Sequence, residues 1–120
     1  MPLKKRINSK SKGKTGELEV AELLRQRGFD ARRGQQYCGG NDSPDVVHDI
    51  DGVHLEVKRV EKLNLRSAIA QAGADARETE IPVVVHRWNG GPWLAILPFV
   101  DLLPLLKKKN RGERPVLQGG

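Results

Sequence analysis

A chain of 120 residues that is 38% hydrophobic, 30% charged and +6 overall fits one domain, with or without tails, and is too apolar for wholesale disorder. Its most apolar stretch, Trp93 to Leu106, is interrupted by Pro98, Asp101 and Pro104, so no membrane-spanning helix is expected. The opening Met1-Pro2-Leu3-Lys4-Lys5-Arg6 lacks the apolar run of a secretory signal, and the lone Cys38 rules out an intrachain disulfide framework or a cysteine-rich zinc site, so a reducing cytoplasm is the expected setting.

In chain order, residues 1–14 come first, with six basic side chains (Lys4, Lys5, Arg6, Lys10, Lys12, Lys14) and no acid. Residues 101–120 carry +3, so the +6 of the whole chain leaves −3 for residues 15–100. An acidic body with basic ends is the footprint of a polyanion partner, most often nucleic acid. The plainer alternative is that such ends keep a small protein in solution. The charge pattern divides the chain into a basic arm (1–14), a folded domain (15–106) and a basic flexible tail (107–120).

From Thr15 to Arg27 the periodicity is helical: Leu18, Val20, Ala21, Leu23 and Leu24 share one arc, Glu19, Glu22 and Gln26 lie opposite, and Gly28 supplies the stop. Phe29 to Arg33 reads as a short strand, and Gly34 to Pro44 as a loop dense in turn formers. Asp45–Ile50 and Val53–Val60 read as two strands paired in a hairpin about Asp51-Gly52. Asn64 caps a second helix whose stripe is Leu65, Ala68, Ile69, Ala72 and Ala76. Ile81–Arg87, with three consecutive valines, is a buried strand. Asn89-Gly90-Gly91-Pro92 turns it into Trp93–Leu97, and a short leucine-rich helix, Phe99 to Leu106, closes the order. The expected fold class is α/β, a mixed central β-sheet flanked by helices in the order α-β-β-β-α-β-β-α.

Two placements of charge stand out. Glu17 lies at the centre of the first helix's apolar arc. It is either a first-turn glutamate favoured by the helix dipole or a carboxylate aimed at the core, which needs a partner. Along Val53–Val60, alternation puts His54, Glu56 and Lys58 on one face. Any hairpin loop of even length brings Asp45 to that face, opposite Lys58 or Glu56. An odd loop turns it away. Two carboxylates close together repel, and a divalent cation removes the conflict; hard oxygen ligands select magnesium, or manganese in its place. Lys58 beside them would orient an attacking water or stabilise charge developing on a phosphate. A solvated ion cluster is the bland alternative, and it leaves Glu17 unexplained.

These residues resemble the PD-(D/E)XK nuclease motif, standing here as Pro44-Asp45, ten residues, then Glu56-Val57-Lys58. Gly13-Lys14-Thr15-Gly16-Glu17-Leu18-Glu19, running on through Leu23-Leu24 to Gly28-Phe29, is similar to the first helix of archaeal-type Holliday junction resolvases, small phage versions included. The resemblance covers residues 12–106 and implies a restriction-endonuclease-like fold. It also implies Asp45 and Glu56 as magnesium ligands with the Val57 carbonyl, Glu17 completing the acidic site directly or through water, and Lys58 as the catalytic lysine. A homodimer that nicks a four-way DNA junction symmetrically, leaving 5′-phosphates, would follow. The Leu102-Leu103 and Leu105-Leu106 pairs are candidates for its interface or for core packing.

Gln71 resembles a glutamine of the phage members, with a plain surface residue as the alternative. A related group of small bacterial proteins carries Ile-Asp where Pro44-Asp45 stands here. Asp49, Asp51 and His54 read as solvated turn residues, His48 falls on the opposite face, and His86 and Cys38 lack partners at ligand spacing. Trp88, Trp93 and Tyr37 are too few for a base-stacking platform. Contact with DNA would therefore be phosphate-directed, through Arg32, Arg33, Arg59 and the terminal lysines. Rival readings are a related nuclease for other branched or duplex DNA, and a non-catalytic nucleic-acid-binding module.

Overall fold

The structure, a computed structural model, describes residues 9–34 and 45–113. Lys4, Lys5, Arg6, Tyr37, Cys38 and Pro44, and the side chains of Lys10 and Lys12, lie outside the described residues.

The elements run α1 (Ser9–Gln26), β1 (Ala31–Arg33), β2 (Val46–His48), β3 (Val53–Arg59), α2 (Leu65–Asp75), β4 (Ile81–Arg87), β5 (Leu94–Ile96) and α3 (Phe99–Glu113). The order is the expected one, but the strands form two sheets. β1 and β2 pair antiparallel, while β3, β4 and β5 form a mixed sheet with β3–β4 parallel and β4–β5 antiparallel. The expected single central sheet and the β2–β3 hairpin are therefore corrected. Asp51-Gly52 does turn the chain, with Gly52 at φ +77°, yet β2 ladders with β1 and β3 with β4. A tight turn sets where the chain reverses, and the ladder goes to whichever strand buries more apolar surface. The valines of β4 offer β3 that partner across α2.

Alternation then divides β3 and β4 between two layers. Leu55, Val57 and Val83 face α1 and β2, where they pack with Val20, Ala21 and Val46. Val84 faces α2 and packs with Ala68 and Ala72. Asn64 caps α2 by accepting the Ser67 N–H at 3.1 Å. Leu65, placed on the apolar stripe by periodicity, is exposed.

The side of α1 that meets the sheet is narrower than the predicted arc. Val20 and Ala21 are buried, but Leu18 and Leu23 are exposed. Close approach explains this: Gly16 lies against β3 so tightly that a Cβ there would stand 2.7 Å from the Arg59 Cβ. Glu19, expected in solvent, instead accepts from Arg87 Nη1 and, at 3.2 Å, from Trp93 Nε1, tying α1 to the far strands. Gly28 ends the helix region with φ +92°.

Both terminal helices outrun their expected bounds. α1 starts at Ser9, inside the expected arm, and α3 runs to Glu113, through the start of the expected tail. Neither extension carries an apolar stripe, so periodicity could not show them. α3 includes Pro104; Phe99, Val100, Leu103, Leu105 and Leu106 are exposed and Leu102 is half-buried, so core packing does not account for Leu103, Leu105 or Leu106. No helix among the described residues is long and apolar enough to cross a membrane.

Candidate active site

β3 is an edge strand of its sheet, and among the described residues the Val57 N–H on its open side meets no neighbouring strand. Asp45 Oδ2 accepts that N–H at 2.9 Å. Asp45 itself precedes β2, and its carbonyl accepts the Gly34 N–H at 2.9 Å. A carboxylate thus completes the edge that a further strand would otherwise cover. In an extended strand a residue's N–H and C=O leave on the same side, so the Val57 carbonyl opens toward Asp45 as well.

Glu56, one residue earlier on β3, is 3% exposed. Its two oxygens meet different partners: Oε1 lies 3.5 Å from His54 Nε2, and Oε2 lies 3.7 Å from Lys58 Nζ. Lys58 Nζ donates to Gln71 Oε1 at 2.8 Å, so α2 fixes the lysine from one side while Glu56 holds it from the other. Glu17 enters from α1, and Arg33 Nε on β1 donates to its Oε1 at 2.8 Å. The carboxylate aimed inward has the partner it needs.

Protonation reports how closely the acids crowd. Burial, then the charges of Glu56 and Glu17, push Asp45 up to about 7, against the pull of the Val57 N–H. Burial also raises Glu17, with Arg33 opposing it and Glu56 adding to it. Burial works the same way on Glu56, but His54, Lys58 and the Asp45 carboxyl outweigh it and hold its pKa below the ordinary value. Of the pair, Asp45 is therefore the carboxyl that holds a proton more readily. The contact with Glu56, opposed by burial, raises His54.

The structure brings Glu17, Asp45, Glu56, Lys58 and Gln71 into one electrostatic neighbourhood. Asp45 arrives by a hydrogen bond to the β3 edge, not by cross-strand pairing. Among the described residues, the trio whose donor atoms all lie within 4.8 Å of one another is His54, Glu56 and Asp75.

One expectation is corrected. His54 is buried, not a solvated turn residue, because α2 returns over it; only its alternation with Glu56 hinted at this. Arg33 is tied to Glu17, and Arg59 Nη2 donates to Asn89 Oδ1 at 2.7 Å while its Nη1 lies 3.5 Å from Glu61 Oε2. Both guanidinium groups make contacts within the fold. Arg32 and Lys14 are exposed. His86 is a satisfied buried imidazole, its Nε2 2.9 Å from the Val60 carbonyl. Asp49 and Asp51 stay exposed at the turn. The sequence matches no family model and no curated protein.

Proposed function

We propose that the protein is a magnesium-dependent, structure-selective DNA endonuclease that resolves four-way junctions by paired symmetric nicks. The observation that carries this reading is the gathering of Glu17, Asp45 and Glu56 beside Lys58 at the open edge of β3. Asp45 and Glu56, with the Val57 carbonyl, would hold magnesium, or manganese in its place, and Glu17 would complete the shell directly or through water. The donor set suits a hard cation: all oxygens, with the Asp45 carboxyl driven toward neutrality by burial and by the charges of Glu56 and Glu17. Such an ion supplies acidification of a water and charge stabilisation at the scissile phosphate.

The chain's own groups do the positioning. Lys58, held by Gln71, directs its ammonium toward the phosphate oxygens or the attacking water. Arg33 keeps Glu17 in place. Water oxygen bonds to phosphorus and the P–O3′ bond breaks, with a proton passing to the leaving oxygen. The products are a 5′-phosphate and a 3′-hydroxyl.

DNA as substrate is supported by the basic ends of the chain and by the exposed Arg32 and Lys14, and its branched form by the resemblance of the motif and first helix to the junction resolvases. Paired cuts need two equivalent sites, hence a two-fold homodimer. The exposed Phe99, Val100, Leu103 and Leu106 of α3 are apolar surface available for one. The test is incubation with immobile four-way junctions, forks and plain duplex, in magnesium or in chelator. Junction cleavage is expected only with magnesium, and its loss in Asp45→Asn and Glu56→Gln with binding retained. Cutting unchanged in both variants would remove the site. Equal cutting of forks or duplex would favour a related nuclease, and tight binding without cutting a non-catalytic module.

A further inference from the structure

We propose that His54, Glu56 and Asp75 form a second cation site, on the α2 side of β3, suited to zinc or a similar nitrogen-accepting divalent ion. His54 and Glu56 share a face of β3 by alternation, and Asp75 is the last residue of α2, which packs over that face. One donor atom from each lies within 4.8 Å of the other two.

The buried imidazole is what points to a ligand. His54 is 7% exposed, and its Nε2 is buried with no hydrogen-bond partner. That nitrogen faces Glu56 Oε1 at 3.5 Å. An N–H···O hydrogen bond closes to about 2.7–3.2 Å. A tetrahedral ion with bonds of about 2.0–2.1 Å instead spaces its ligand atoms roughly 3.3–3.4 Å apart. At 3.5 Å the separation is longer than a closed hydrogen bond and close to the spacing of two ligands around an ion. His86, on the same face, shows the contrast: its Nε2 sits 2.9 Å from the Val60 carbonyl.

One imidazole nitrogen and two carboxylates make a three-ligand set that leaves a fourth position for water, a zinc-type arrangement that magnesium does not favour. Of the three, Asp75 is exposed, and His54 also lines a cleft of about 320 Å³ with His48, Asp51, Arg77 and Glu80. The site shares only Glu56 with the proposed catalytic centre. It rests on the placement of His54 and Asp75, and stands whether or not the protein cuts DNA. The competing account is a histidine–glutamate ion pair with no ion.

The test titrates the metal-stripped full chain with cobalt(II), a spectroscopic stand-in for zinc, following visible absorption and calorimetric stoichiometry. One equivalent of micromolar or tighter affinity is expected, with at least tenfold weaker binding in His54→Gln and in Asp75→Asn. Asp75 is exposed, so its variant keeps the test valid if the His54 variant misfolds. Asp45→Asn should bind cobalt within threefold of the parent while losing junction cleavage. Absence of cobalt binding by the parent would overturn the inference, as would unchanged affinity in Asp75→Asn. So would equal weakening in Asp45→Asn, which would assign the ion to the other centre. Failure of cleavage with cobalt binding intact would count against the nuclease reading alone.

Discussion

Asp45 Oδ2 takes the place on the β3 edge that a neighbouring strand's carbonyl would fill, accepting the Val57 N–H at 2.9 Å. The carboxyl is thereby fixed near Glu56, and burial together with that charge makes its ionisation unfavourable.

Stability should therefore fall as pH rises. Burial and Glu56 lift Asp45 from 3.8 to about 7, so the folded chain keeps a proton that the unfolded chain has lost. The stabilisation is full below about pH 4 and is lost as pH climbs through 7. His54, raised by Glu56, shifts in the same sense. Asp45→Asn keeps an acceptor for the Val57 N–H and removes only the Asp45 share. In chelator, denaturant unfolding should show the parent losing on the order of a few kcal/mol between pH 5 and pH 8. The variant should lose less and be the more stable at pH 8. Parallel pH profiles would contradict the crowding.

Gly16 and Gly13 separate close packing from helix propensity. A Cβ on Gly16 would meet the Arg59 Cβ at 2.7 Å, whereas one on Gly13 has nothing within 4 Å. Gly16→Ala should cost about 1–3 kcal/mol by forcing α1 off β3. Gly13→Ala should stabilise by up to about 1 kcal/mol. Thermal melts of the two variants should move in opposite directions.

Arg33 neutralises a half-buried carboxylate. Arg33→Met strands Glu17, and unfolding measurements should show a loss of about 1–3 kcal/mol. The double variant with Glu17→Gln should recover part of it. A double variant no better than Arg33→Met would mean the pair is ornamental.

Gln71 is a positioning residue for Lys58, through the 2.8 Å bond to Nζ. Lys58→Met should lower cleavage by about 10²–10⁴-fold. Gln71→Ala should lower kcat by roughly tenfold, in line with lost outer partners at other polar sites, with junction affinity unchanged. Gln71→Glu should restore much of the rate, because it can still accept from Nζ. An effect confined to affinity would place Gln71 in DNA contact instead.

What was legible in the sequence followed local rules. Alternation along one strand put Glu56, Lys58 and His54 on a common face whatever the strand paired with, and the wheel put Glu17 on the apolar arc while leaving open whether its head reached solvent. Asn64, Gly28 and Asp51-Gly52 declared caps and turns through their own chemistry. Pairing was not legible, since the choice of β1 for β2 and β4 for β3 depends on apolar surfaces distant in sequence. The burial of His54 depends on α2, and the engagement of Glu19 by Arg87 and Trp93 joins residues 68 and 74 positions apart. No window of neighbouring residues contains those contacts.

The central claim, that Glu17, Asp45 and Glu56 converge on one hard cation beside Lys58, is tested most directly by anomalous diffraction from crystals grown with manganese. The account predicts a peak about 2.1 Å from oxygens of Asp45 and Glu56 and from the Val57 carbonyl, with Glu17 bonded to it or to one of its waters. A manganese ion bound only beside His54 and Asp75, with the Asp45 carboxyl still closed on the strand edge and no density between it and Glu56, would contradict it.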